Sequence, residues 1–309
     1  MVLLSALVLA SAITQPRDSY PAPSPDGREL VFVSNRTGKT GLWRSDIAGS
    51  NPKLLFDGGS MGSDPTTPAW SPDGRSITFA MTPAGATDPN ESEIYRMDAD
   101  GTSIVRLTSA PGDDSHPHWS ADGTRIFFNS ARATPNLSAD WSQQWIDVYS
   151  MAADGSDVRR HTECRAVCTY PSPSPDGKWI VYRRVVPEPG YNWALSPSAT
   201  NSEIFVAAMD GSKPTNLSRS PAFDGWPMWA PNGWIVFASN RDRRAYTGQI
   251  FAVRPDGTGV KPVTEGALSR AQPIPSADGR QIFVYESVED ADGEFGHVAK
   301  FPLYLPPLP

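Results

Sequence analysis

Cysteine is almost absent: Cys164 and Cys168, four apart in Cys-Arg-Ala-Val-Cys, are the only two in the chain. Two thiols without a second pair are a poor zinc site. They leave either a small disulfide loop in an oxidising compartment or a pair of reduced loop thiols. Long apolar runs are missing as well. The N-terminal stretch Met1–Ala12 is far shorter than the roughly 20 residues that a membrane helix needs, and no basic amphipathic segment suggests a membrane surface. It ends in Ala10-Ser11-Ala12, the small-residue pattern of a signal-peptide cleavage site, although no Lys or Arg precedes it. Positive charge is also in deficit. With 27 Lys and Arg against 34 Asp and Glu, the net charge is −7 and the isoelectric point about 5.1, which excludes a nucleic-acid partner.

What the chain has in plenty is punctuation. It carries 31 prolines and 25 glycines, too many for long helices and suited to short strands joined by turns. Ten Trp, nine Tyr and twelve Phe supply material for a core. The punctuation is periodic. A Ser/Ala-x-Asp/Asn-Gly turn starts at Ser24, Ser71, Ser120, Ser174, Ala230 and Ser276, at intervals of 47, 49, 54, 56 and 46 residues. Such periods suit a four-stranded propeller blade. A short x-Pro-x-Trp/Pro segment precedes each turn, as in Thr67-Pro-Ala-Trp70. A β-branched and aromatic run follows it, as in Ile126-Phe-Phe128. A third strand such as Glu93–Met97 closes on a hairpin Asp-Gly, and a Leu-Thr-like pair ends the unit: Leu107-Thr108, His161-Thr162, Leu217-Ser218 and Val263-Thr264.

This combination resembles the TolB-type WD-like propeller repeat, in six phased copies that cover nearly the whole chain. The expected fold is therefore all-β: one six-bladed β-propeller of four-stranded antiparallel blades over residues 1–309, acting as a monomer. The repeat is structural and leaves the chemistry to be argued from the site. The TolB proteins themselves carry a further α/β domain and bind outer-membrane lipoprotein partners. No residues remain here for that domain, so the resemblance does not carry that role over.

The sixth copy lacks an Asp-Gly hairpin and runs into a proline-rich tail, residues 302–309. Its fourth strand is expected from the other end: Leu7–Thr14 ends in Ile13-Thr14, at the Leu-Thr position, and would close the ring. Cleavage after Ala12 would remove that strand. A periplasmic or secreted protein and a cytoplasmic one with a retained closing strand both remain open.

Candidate binding residues come from the ring's geometry. Six equivalent positions directly before the inner-strand prolines, Tyr20, Thr67, His116, Tyr170, Trp226 and Gln272, should surround the channel mouth and suit stacking and hydrogen bonding. The alternative is that they fill the taper of the ring. The longest loops between second and third strands, about 131–146 and 185–202, carry Trp141, Trp145, Tyr191 and Trp193, and binding is expected on their face. His116 and His118 alternate on one strand; with Gln272 they could hold a divalent metal, as in propeller lyases that degrade pectic fragments. Those lyases have seven blades, and His161 and His297 do not occupy equivalent positions. Gly58-Gly-Ser-Met-Gly62 has the letters of a nucleophile elbow but neither the strand nor the helix that the motif requires, so Ser60 is not a nucleophile. Asp18, Asp114 and Asp224 are expected to cap turns, and Glu289–Glu294 to form a solvated loop. The reading is a binding or scaffold propeller for a protein, peptide or glycan, with no catalytic residues and no resident cofactor. The alternative is a metal-dependent oligosaccharide lyase using the same channel mouth.

Overall fold

A computed structural model describes residues 16–86, 88, 91–185, 202–241, 248–290 and 293–308. It is a ring of six antiparallel sheets, one per repeat. The inner strands are Asp18–Pro23, Gly62–Trp70, Asp114–Trp119, Val167–Pro173, Asp224–Trp229 and Ser269–Pro275. Each is followed by a second and a third strand, and in blades one to five by a short outer strand. Blade three shows the pattern: Asp114–Trp119, Arg125–Ser130, Asp147–Ala152 and Arg159–Arg160. The ring closes where the inner strand of blade one packs on Gln281–Asp290 and Gly293–Pro302 of blade six.

The second and third strands are buried on both faces because each blade is sandwiched between two others. Ile77, Phe79 and Met81 of blade two are fully enclosed, packed with Val31 and Leu42 of blade one. Each such side chain contributes roughly 1.5–3 kcal/mol. The Leu-Thr motif has a structural task. Thr108, Thr162, Ser218 and Thr264 accept the backbone N–H of a third-strand residue (Ile94, Val148, Ile204, Ile250) at 2.9–3.0 Å. Their hydroxyls donate to Glu93, Asp147, Glu203 and Gln249 at 2.5–3.0 Å. This stitches a two-residue outer strand that backbone pairing alone would hold weakly.

Several expectations change. Blade six has three strands among the described residues, and the Leu7–Thr14 strand proposed to complete it lies outside them. The described part of the acidic segment is strand rather than loop: backbone pairing continues from Val288↔Phe295 through Glu289↔Glu294 to Asp290↔Gly293. Asp18, Asp114 and Asp224 do not cap turns. They pair with Arg36, Arg132 and Arg241 at 2.6–2.9 Å, and each guanidinium lies over two aromatic rings of its own blade, such as Phe128 and Tyr149. In blade four the equivalent residue is Cys168, which is buried and bonded to Cys164. The thiols are thus a disulfide, standing where other blades place a salt bridge.

Candidate binding channel

Every inner strand carries a register break at its X-Pro step, for example between Ser19 and Ala22 and between Phe127 and Asn129 on the paired strand. The residue before the proline is left-handed in all six blades: Tyr20 (φ 49°), Thr67 (50°), His116 (54°), Tyr170 (56°), Trp226 (51°) and Gln272 (53°). None is glycine, so each position stores strain of about 1 kcal/mol or more. The bulge turns six side chains toward the axis. The sequence marked the positions through their repeated proline, but not the conformation, since X-Pro ordinarily reads as extended.

The six side chains line the channel at this level, and several touch one another. His116 and Tyr170 rings lie 3.8 Å apart, and Tyr170 and Trp226 rings 5.8 Å. Tyr20 donates its backbone N–H to Gln272 Oε1 at 2.8 Å. Tyr20 and Tyr170, from opposite blades, interact through their side chains, and burial raises the pKa of both phenols.

Below the ring a cavity of about 500 Å³ extends toward the Pro-Asp-Gly turns. Its lining ends with Pro25, Pro72, Ala121, Pro175, Pro231 and Ala277, the second residue of each turn, and includes nothing upstream of the six ring residues. Among the described residues the cavity thus runs from the level of these six side chains to the short turns. Thirteen prolines form much of the wall, with Trp70, Trp119, Trp229, Met228 and Ile274, and among the described residues no Asp, Glu, Lys or Arg lines it.

Both expected histidines line this cavity. His116 Nδ1 lies 2.8 Å from Asn129 Oδ1, and His118 Nδ1 lies 3.1 Å from the Trp119 carbonyl oxygen. Each Nδ1 thus carries the proton and each Nε2 keeps a lone pair. Burial lowers both pKa values, that of His116 to about 4, so the rings are neutral acceptors. As a metal set they are short. Among the described residues no group of three or more His, Cys, Asp or Glu converges, and Gln272 Oε1 is already taken by Tyr20. A hard divalent cation expects six or more oxygen or nitrogen ligands, which these residues do not fit.

Trp141 and Trp145 are not among the residues lining this cavity. Trp141 packs on the cluster of Ala131, Ile146, Val167 and Val185, and Arg165 stacks over Trp145 at 5.8 Å. Thr134 and Gln144 brace the loop internally through Trp145, Leu137 and Ala139. Tyr191 and Trp193 lie outside the described residues.

The architecture defines a six-bladed β-propeller with an axial cavity. Residues 60–187 match the TolB beta propeller domain. An uncharacterized protein of Agrobacterium fabrum is 31% identical over 217 residues, 68% of this chain and 65% of that protein, so the chain spans just under two thirds of that relative. The structure of a putative TolB from Agrobacterium tumefaciens superposes with a TM-score of 0.65 at 23% identity, covering 93% of this chain and 91% of that one. An oligogalacturonate lyase in complex with manganese shares the fold at TM-score 0.60 and 14% identity, over 89% of this chain and 72% of that one. The chain is a TolB-like propeller.

Proposed function

We propose that the chain is a binding propeller that receives an uncharged, largely apolar segment of a protein or peptide in the axial cavity, entering from the Pro-Asp-Gly side. The carrying observation is the wall itself: proline and aromatic surface with two neutral imidazole acceptors and no formal charge. Such a wall favours apolar bodies that bring a few hydrogen-bond donors. It disfavours anions, since an unpaired carboxylate would lose its hydration without gaining a cation.

The lyase reading has one supporting observation, the pair of histidines with Gln272 in the same cavity as a shared propeller fold. Uronic-acid substrates are anionic, and among the described residues no Arg or Lys lines the wall to receive them. The disulfide supports a location outside the reducing cytoplasm. No helix among the described residues is long and apolar enough to cross a membrane.

The test uses the neutral fluorophore N-phenyl-1-naphthylamine as probe and uncharged dodecapeptides as competitors. Saturable dye binding that the peptides displace is the expected result. Absence of dye binding, or manganese-dependent double-bond formation on oligogalacturonate that His116→Ala abolishes, would overturn the proposal.

A further inference from the structure

Five of the six turns at the cavity mouth lock themselves. In blade one the Ser24 hydroxyl donates to Asp26 Oδ1 at 2.6 Å and accepts the Glu29 N–H at 2.9 Å. The same two bonds recur at Ser71–Asp73, Ser120–Asp122, Ser174–Asp176 and Ser276–Asp278. Blade five can form neither. It has Ala230 for the serine and Asn232 for the aspartate. Its turn is one residue shorter, with Ala230 N–H bonded to Trp234 O where Ser24 N–H reaches Glu29 O.

The missing lock is supplied from elsewhere in the chain. The tail after blade six crosses back over this turn. Asn232 Nδ2 donates to the Leu305 carbonyl and Trp234 Nε1 to the Pro306 carbonyl, both at 2.8 Å, while Leu308 N–H reaches Asn232 O at 3.3 Å. Leu303 and Leu305 are buried against Trp234 in the blade-five core. An aspartate at 232 could not donate to a carbonyl, so the departure from the repeat is the one that the tail requires. Trp179, at the matching position of blade four, has no such cover and is 37% exposed; Trp234 is 2% exposed.

The turn matters to the cavity. Pro231 lines it, and lies over Gly279 of the next blade as Pro25 lies over Gly74 and Pro72 over Gly123. We propose that residues 303–308 are a positioning strap for the channel site, replacing the Ser–Asp lock of blade five and holding Pro231 in the wall of the mouth. This rests on the cavity being the binding site.

The experiment uses full-length Leu305→Glu, which expels the strap, and Asn232→Asp, which removes the donor. A third chain combines Leu305→Glu with a rebuilt turn: Ala230→Ser, Asn232→Asp and an arginine inserted after Gly233. Affinity for N-phenyl-1-naphthylamine and amide exchange at Ala230 and Gly233 are read together. Both single variants should bind the dye at least fivefold more weakly and exchange those two amides at least tenfold faster. The rebuilt turn should restore affinity and slow exchange, while the melting temperature stays low because leucine burial remains lost. A merely structural strap would not give that split. Affinity within twofold of the parent in Leu305→Glu, or slow exchange regained without affinity, would overturn the inference. A parent that does not bind the dye at all would instead overturn the channel reading, and the exchange data would still report on the strap.

Discussion

The two faces of the ring invert what their sequences advertise. The long-loop face holds the conspicuous residues: Trp141 packs its own loop onto Ala131, Ile146 and Val167, and Trp145 lies under the Arg165 guanidinium. The opposite face is made of short, repetitive turns, yet the cavity is lined out to that side. An aromatic residue in an insertion must first satisfy the loop that carries it, whereas six turns placed alike around an axis leave a space that no single repeat can fill.

Substitutions on the two faces should separate accordingly. The largest effect is expected from Ile274→Asp, which places a carboxylate in the uncharged wall. Affinity for the neutral dye should fall at least thirtyfold, about 2 kcal/mol, with a near-parental melting curve; retained affinity would locate binding elsewhere. On the loop face, Cys164→Ser/Cys168→Ser opens a short disulfide loop. Calorimetry should show a loss of about 2 kcal/mol, with dye affinity unchanged. Trp141→Ala should cost about 1–2 kcal/mol and leave dye affinity within twofold. If affinity collapses instead, the contrast between the faces is broken.

Titration sharpens the same contrast. Toward the loop face, burial raises the Asp113 pKa to about 7, against a hydrogen bond from Ser115 that lowers it. The native state keeps a proton that the unfolded chain releases near pH 4, so stability falls as pH rises from about 4 to 7. Burial raises neighbouring Asp114 to about 6, in the same direction despite Arg132. On the cavity side His116 behaves oppositely: its pKa falls to about 4. The unfolded chain takes up a proton near pH 6.5 that the native state refuses until about 4, so stability falls as pH drops through that window. Denaturation curves should show Asp113→Asn gaining stability at pH 8 but not at pH 3.5, and His116→Gln flattening the acid limb. Dye affinity should stay constant from pH 8 to about 5 as far as His116 is concerned, because that imidazole remains neutral. The smallest effect is expected at Thr67, a β-branched residue at φ 50°. Thr67→Gly should be neutral or stabilising by up to about 1 kcal/mol in thermal melts.

Much of this was legible in the residues. The Ser-Pro-Asp-Gly spacing gave six blades, and Tyr20, His116, Tyr170, Trp226 and Gln272 were correctly identified as equivalent positions because period and proline mark them. The left-handed conformation of the six pre-proline positions was not legible, since its letters also suit an extended strand. Nor was the exchange of Asp114-type salt bridges for a disulfide at Cys168, which appears only when blades are superposed. The strap on blade five was visible as three anomalies, Ala230, Asn232 and the lost residue, but their common partner lies some 70 residues away in a tail that resembles a disordered end.

The proline steps of the inner strands have a consequence for association. Each inner strand is the free edge of its sheet, and a free edge invites another chain to add a strand. Here every such edge lacks donors at its prolines and is kinked by its bulge, so neither a ligand nor a stray unfolded chain can extend the ladder along the axis. The far edges of blades two to five are two-residue strands, too short to template pairing. Among the 23 strands of the described residues, the long outer edge that remains is Gly293–Pro302 of blade six, so amyloid-like stacking has few other places to start.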